Sequence, residues 1–173
     1  MGSYSELASD EYILKHVGDA KSVTIIGCPY CANQSVAYSK GISVIAESSL
    51  GGLRGKPYVI TQEANRIKEL LESKGKTATV KTFGIPHWGL CWQNAKDRNA
   101  VAKACKQSDA AIALSCFAGC EGIRSALPES FKVIPGMATI GTISTYLSVE
   151  KGKVILNKNK TKVHLFKDIR QMG

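Results

Sequence analysis

The sequence predicts an α/β fold: a single-domain, three-layer sandwich with a mainly parallel sheet and a C-terminal β-hairpin. Short apolar runs alternate with amphipathic helical patterns through most of the chain, which is typical of parallel sheets covered by helices. The chain has 173 residues, of which 44% are hydrophobic, so one domain can bury a substantial core. We therefore expect residues 1–173 to form one α/β domain, with the hairpin as an appendage at about 151–168.

Five short runs rich in β-branched and small apolar residues are strand candidates: Val23–Ile26, Ile42–Ala46, Thr77–Phe83, Ala110–Leu114 and Phe131–Ile134. Apolar runs of this length are typical of strands that are buried on both faces of a parallel sheet. The run Ala110–Leu114 predicts a central strand, whereas alternation in Thr77–Phe83 predicts a peripheral one. Further on, Val154–Leu156 and Val163–Phe166 flank the polar turn NKNK and predict the hairpin.

Helices are predicted from apolar stripes in three segments, Ser9–Gly18, Thr61–Gly75 and about Asn94–Lys106. Ser9 and Thr61 are suited to cap the first two helices, and a glycine is a typical stop for both. The third helix carries Cys105 on its apolar stripe. We interpret Cys105 as a small buried hydrophobe.

The other five cysteines follow closely on predicted strands: Cys28, Cys31, Cys91, Cys116 and Cys120. Because the carboxyl ends of parallel strands meet at one edge of the sheet, these thiols should gather in the crevice where open α/β folds bind ligands. The sequence therefore predicts a thiolate-ligated metal site at that edge. Whether Cys120 is one of the ligands stays open.

The CxxC pair Cys28–Cys31 lies in the turn that opens a helix, where both sulfurs can reach one metal and the helix N-terminus favours thiolates. The pair alone is equally compatible with a thioredoxin-like dithiol, but the additional cysteines favour a metal. Trp88 and Trp92 flank Cys91 and could keep the site dry. His87 is either a further ligand or a surface hydrogen-bonding group.

Three glycines are candidate cofactor-binding positions, because a backbone without Cβ atoms can approach a bulky ligand: Gly27, Gly119 and Gly122. Four thiolates from three loops suit a Cys₄ zinc site or a cubane iron–sulfur cluster. Structural zinc usually supports small modules that lack a core. The large predicted core therefore favours an iron–sulfur cluster, with zinc as the alternative.

The composition of the chain and the motifs that it lacks argue against several classes of function. The net charge is +9, with lysines concentrated in Lys151–Lys167, but no series of aromatic stacking residues interleaves with them, so we expect a solvated basic face and no nucleic-acid binding. There is no GxSxG, GxxxxGK[ST] or GxGxxG motif. The chain has no apolar run of membrane-spanning length and its N-terminus does not resemble a signal peptide, which predicts a cytoplasmic protein without a membrane association. Disulfides are then not expected.

The segments IIGCPYC, GLCWQ, SDAAIALSCFAGCEGI and PGMATIGT follow one another in this order. They resemble the C-terminal domain attached to some methylenetetrahydrofolate reductases, and the small metal-containing subunit that accompanies the flavoprotein in acetogenic bacteria. The likeness covers roughly residues 22–145. It matches Cys28, Cys31, Cys91 and Cys116 with the cysteines of that family. Cys120 is additional, and the lysine-rich C-terminal segment replaces a cysteine-rich ferredoxin-like tail.

This resemblance implies an accessory redox or metal-binding protein of folate-linked one-carbon metabolism that works with a flavoprotein or methyl-transfer protein. An accessory subunit is expected rather than a complete enzyme, because no segment resembles a flavin-binding barrel. Two alternatives remain. One is an independent zinc–thiolate enzyme that activates a thiol or methyl acceptor, and the other is a metal-free α/β interaction module with buried cysteines.

Overall fold

A computed structural model of the protein describes residues 1–47, 58–83, 90–91 and 94–169. Within these ranges ten strands and six helices follow one another in the order β1 (Gly2–Leu7), α1 (Asp10–Val17), β2 (Ser22–Gly27), α2 (Cys31–Lys40), β3 (Val44–Glu47), α3 (Val59–Ser73), β4 (Thr77–Thr82), α4 (Ala95–Cys105), β5 (Ala110–Leu114), α5 (Phe117–Ser125), β6 (Lys132–Pro135), β7 (Met137–Ser144), β8 (Leu147–Glu150), β9 (Lys153–Leu156), β10 (Lys162–Leu165) and α6 (Phe166–Ile169). Strands and helices alternate as far as β6, and mostly antiparallel strands follow. The predicted α/β class is confirmed.

The centre of the fold is a four-stranded parallel sheet with the strand order β4-β2-β5-β6. Gly27 at the end of β2 lies opposite Thr82 of β4 and Leu114 of β5, so the carboxyl ends of these strands are level. Every residue of β5 is buried, which confirms its central position. The sequence predictions for β2, β4, β5 and β6 are therefore correct, including the peripheral place of β4.

Helices cover both faces of this sheet. Thr24 of β2 donates a hydrogen bond through Oγ1 to the carbonyl of Ala104 in α4 (3.1 Å). A Cβ atom at Gly27, further along β2, would lie 3.5 Å from the side chain of Ile60 in α3. Residues three apart in a strand point to opposite faces, so α3 and α4 lie on opposite sides. Helix α5 packs with α4 and against β5 and β6. This is the predicted α/β sandwich.

The helix ends follow from capping residues, with one exception. The Ser9 hydroxyl accepts a hydrogen bond from the α1 backbone, and Gly18 ends α1 with a positive φ of 56°. Asn94 caps α4 in the same way as Ser9 caps α1. Helix α3 begins at Val59, so Thr61 lies inside it and is not its cap. Its hydroxyl instead bonds to the Thr82 hydroxyl of β4 (2.9 Å).

A second sheet, with the antiparallel order β1-β7-β10, was not expected from the sequence. β1 pairs along its length with β7, from Gly2 opposite Ile143 to Leu7 opposite Met137. Because β7 begins directly after β6, this sheet continues from the carboxyl edge of the parallel sheet. Helix α2 packs against β1, so the second sheet covers the region in which the CxxC pair lies.

The third sheet corrects two details of the predicted topology. The strand candidate Ile42–Ala46 corresponds to β3, but β3 pairs antiparallel with β9 and takes no part in the parallel sheet. A C-terminal hairpin is present, yet its strands are β8 and β9, joined by a turn at Lys151–Gly152. The expected partner of β9, Val163–Phe166, corresponds to β10, which pairs with β7 instead. The glycine-rich stretch 48–55 lies outside the described residues.

Candidate metal centre

The CxxC pair lies at the carboxyl edge of the parallel sheet, as the sequence predicts. Cys28 directly follows β2, is only 4% exposed, and donates its backbone N–H to the carbonyl of Leu114 at the end of β5 (3.0 Å). Helix α2 begins at Cys31, whose side chain is half-buried. The loop between them therefore joins the ends of the two central strands to the N-terminus of a helix.

The sulfur of Cys28 lies in a buried pocket with hydrogen-bond donors. The pKa of Cys28 is raised to about 12, mainly by burial, and the neighbouring thiols of Cys116 and Cys31 contribute in the same direction. The backbone N–H groups of Tyr30 and Leu90 lie on the side of the sulfur and lower its pKa, which opposes the effect of burial. Amide donors of this kind stabilise a thiolate, so the pocket holds a protonated thiol by itself but has groups that favour the charged form.

Cys116 and Cys120 occupy the first turn of α5. Cys116 is the N-cap residue, and the backbone N–H of Cys120 donates to its carbonyl (2.9 Å). Both cysteines are buried. The next amide, that of Phe117, donates to the hydroxyl of Thr139 in β7 (2.8 Å), which fixes α5 against the second sheet. Burial is also the main reason why the pKa of Cys120 is raised.

Cys91 completes the set of predicted ligands and is exposed. Burial of part of its side chain raises the pKa of Cys91, and the thiols of Cys116 and Cys31 contribute in the same direction. Cys91 therefore lies within electrostatic range of both other loops. His87, Trp88 and Trp92, which the sequence analysis assigned to the surroundings of Cys91, lie outside the described residues.

The described residues thus bring the four thiols of Cys28, Cys31, Cys91 and Cys116 to one edge of the sheet. The thiols of Cys31 and Cys116 raise the pKa values of Cys28 and Cys91, but no group of three or more His, Cys, Asp or Glu side chains in the described ranges is arranged to hold an ion. The two observations differ in range: charges interact over many ångströms, whereas a zinc ligand sulfur lies about 2.3 Å from the metal.

At several positions around the thiols, close packing of neighbouring atoms explains why the residue is a glycine. A Cβ atom at Gly27 would lie 3.2 Å from the Thr82 hydroxyl, and one at Gly119 would lie 2.8 Å from the Cβ of Ser115. Gly122 lies in α5 and is half-buried. The sequence analysis missed Gly2 of β1, where a Cβ atom would lie 2.7 Å from the sulfur of Cys31. The pairing of β1 with β7, which positions Gly2, had no recognisable local signal.

Cys105 differs from the other cysteines. Helix α4 ends at Cys105, shortly before β5 begins, so this thiol belongs to the amino edge of the sheet. It is buried in the apolar core, and burial alone raises its pKa to about 11. The interpretation of Cys105 as a buried hydrophobe is therefore confirmed.

A groove of about 730 Å³ adjoins the candidate centre. Helix α5, β7, α1 and α6 border it, and its lining includes Cys120, Tyr12, Phe117 and Phe166. Phe117, directly after Cys116, is 68% exposed, which is unusual for a large apolar side chain. A surface that a partner or ligand can contact therefore lies beside the thiols.

Comparison with known proteins adds no assignment, because no family model, no curated protein and no solved structure matches this chain. Among the described helices, none is long and apolar enough to cross a membrane. The geometry of the cysteine loops and the motif likeness are therefore the basis for a functional interpretation.

Proposed function

We propose that this protein is an accessory redox or metal-binding protein in which Cys28, Cys31, Cys91 and Cys116 hold an iron–sulfur cluster, or alternatively zinc. The environment of the Cys28 sulfur is the observation that carries this proposal: it is buried, it lies near two other thiols, and two backbone N–H groups oppose the rise of its pKa. Hydrogen bonds to a charged acceptor are about twice as strong as neutral ones, so these amides suit a metal-bound thiolate better than a thiol.

The donor set fits both metals by its chemistry, because soft thiolates select zinc and iron–sulfur clusters. Helices α2 and α5 begin at or next to Cys31 and Cys116, and their N-termini favour negative charge on these sulfurs. A cluster would supply one-electron transfer, and zinc would supply a Lewis acid. The residues of this chain would hold the sulfurs, donate hydrogen bonds to them and keep water from Cys28.

A separate catalytic partner follows from the motif likeness to the methylenetetrahydrofolate reductase family, which supports a role in one-carbon metabolism with a flavoprotein or a methyl-transfer protein. The exposure of Cys91, and that of Phe117 in the lining of the groove, supports the same idea, since a partner needs access to the edge of the sheet. Exposed Cys91 also favours the second candidate, a zinc–thiolate enzyme, because an exposed ligand leaves room for a substrate at the metal.

Anaerobic purification and reconstitution, followed by determination of iron, sulfide and zinc and by a visible spectrum, tests the proposal. Cys28→Ser should lose nearly all bound metal, because a serine hydroxyl is a poor ligand for soft metals. The protein should still fold, since the core cluster does not depend on the metal. Circular dichroism of the metal-free form checks this.

Cys105→Ala is the matched control, because Cys105 is equally buried but lies at the other edge of the sheet. It should keep its full metal content. If Cys28→Ser also kept its metal, or if the wild-type protein bound neither iron nor zinc, the metal-free interaction module would be the better interpretation. Iron with equimolar sulfide would favour the accessory redox role over the zinc enzyme.

A further inference from the structure

Ser115 is a buried polar residue whose hydroxyl is not used by the fold that surrounds it. The residue lies between the end of β5 and Cys116 and is 1% exposed. Within the described ranges its Oγ finds no hydrogen-bond partner. Buried hydroxyl groups in native proteins are almost always bonded, since leaving one unsatisfied costs its full desolvation penalty. The position would be filled at lower cost by alanine.

Ser115 and Leu90 both lie close to Gly119 in the first turn of α5. A Cβ atom at Gly119 would lie 3.1 Å from Ser115 Oγ and 3.5 Å from the Cβ of Leu90. Leu90 is buried, and its backbone N–H is one of the two that lower the pKa of Cys28. Ser115 is therefore the sequence neighbour of one candidate ligand, Cys116, and lies in the same region as Leu90, whose amide acts on another, Cys28.

We propose that Ser115 is a positioning residue whose hydroxyl donates a hydrogen bond to a sulfur atom of the bound centre. This inference rests on the proposed function, and it explains why a buried hydroxyl has no partner in the metal-free protein. Residues that bond to metal ligands typically contribute 10–100-fold to metal affinity. The same hydrogen bond to a cluster sulfur stabilises the more negative, reduced state.

The test is Ser115→Ala, compared with Ser108→Ala. The Ser108 hydroxyl is half-buried at the amino edge of the sheet and bonds to the Thr24 hydroxyl (2.7 Å). For each variant the unfolding equilibrium of the metal-free protein is measured by denaturant titration. Affinity for the centre is then measured by chelator competition with Zn²⁺, and by the midpoint potential if the wild-type protein accepts a reconstituted cluster.

We expect Ser115→Ala to leave the metal-free protein as stable as the wild type or more stable, and to weaken Zn²⁺ binding at least tenfold. A tenfold effect on a one-electron cluster equilibrium is a shift of about 59 mV toward a lower potential. Ser108→Ala should show the reverse pattern: the unfolding equilibrium changes by about tenfold, because a formed hydrogen bond is lost, and the affinity is unchanged.

Three results would overturn the role of Ser115. One is an unchanged affinity and potential. The second is a loss of metal-free stability equal to that of Ser108→Ala, and the third is a Ser115→Ala protein that does not fold, since both would show that the hydroxyl has a structural partner. A wild-type protein that takes up no centre would overturn the proposed function first, and this role with it.

Discussion

At the scale of single residues, Cys28 and Cys105 show that two equally buried thiols can differ in chemistry because different groups surround them. Burial raises the pKa of both, to about 12 for Cys28 and about 11 for Cys105. Only Cys28 has other thiols nearby and amide donors on its sulfur. Coordination of a metal displaces the thiol proton, so metal uptake at Cys28 should release protons, whereas Cys105 remains a neutral core residue.

The raised pKa values predict that the metal-free protein loses stability in alkaline solution. Unfolded cysteines ionise near pH 8.5, whereas the folded thiols keep their protons, so unfolding releases protons and becomes easier as the pH rises from about 8.5 toward 11 and 12. Cys105→Ala should remove part of this loss. Denaturant titrations of the wild type and the variant at about pH 7 and about pH 10 measure it.

The comparison between variant and wild type is the control, because lysines and tyrosines titrate in both proteins. An equally steep decline in the two proteins would show that ionisation of Cys105 does not contribute.

Sequence reasoning found the cysteines of the edge but not the groups that surround them. Cys28 and Cys116 follow recognisable strands, and parallel topology alone brings their loops to one edge. Ser115, Gly2 and the amide of Leu90 became visible only with the structure. Their roles depend on which segments meet in space, and no local pattern of residue types encodes this.

At the scale of elements, β7 is the strand that joins the two ends of the chain, with β1 on one side and β10 on the other. It carries a close approach at Gly141, where a Cβ atom would collide with the backbone carbonyl of His164 in β10. The register of β1 also shifts beside this point, between Tyr4 and Ser5. The glycine is therefore needed for the pairing of β7 with β10.

Gly141→Ala should destabilise the protein by about 1–3 kcal/mol, since a backbone atom cannot move aside as a flexible side chain can. Thermal or denaturant unfolding of the metal-free protein measures the effect. The matched control is Thr142→Ala at the next position of β7, because Thr142 already carries a Cβ atom and the substitution adds none. Its expected loss of stability is below about 1 kcal/mol. Equal stabilities of the two variants would contradict the close approach of β7 and β10.

Elements with a local signal were predictable, and elements defined by distant partners were not. β2 and β5 are continuous apolar runs, and α1 has both a cap and a glycine stop. β1 has the sequence GSYSEL, which contains no β-branched residue, and it is stabilised by pairing with β7. The predicted pairing of β9 with β10 failed for the same reason, because each strand found a partner elsewhere in the chain.

At the scale of the whole molecule, positive charge is the dominant surface property, with a net charge of +9. The lysine-rich segment runs through the β8–β9 hairpin and then β10. Its lysines therefore lie on two different sheets, β3-β9-β8 and β1-β7-β10. Near it lie exposed apolar side chains, including Leu147 and Val149 of β8 and Tyr146, whose ring lies 4.6 Å from the Nζ of Lys160. Lysine side chains and exposed apolar side chains are therefore neighbours on this surface.

We predict that this surface does not support tight binding to nucleic acid. Binding to random duplex DNA should be weak, and replacement of Lys158, Lys160 and Lys162 by glutamine should change it little at physiological salt. Fluorescence anisotropy over a range of salt concentrations measures this, and a lysine-rich DNA-binding protein of similar charge is the positive control. Tight binding with the steep salt dependence of released counterions would contradict the prediction.

The pairing of Gly2 with Ile143 has a consequence for the order of events during synthesis. While the ribosome makes the chain, all six cysteines are synthesised before β7 is complete. During this time β1 has no partner strand to pair with. The contact between Gly2 and the sulfur of Cys31 is made in the folded protein, where β7 holds β1 in place. A nascent chain would thus present a looser CxxC loop than the finished protein, and the last third of the sequence decides when that loop acquires its final shape.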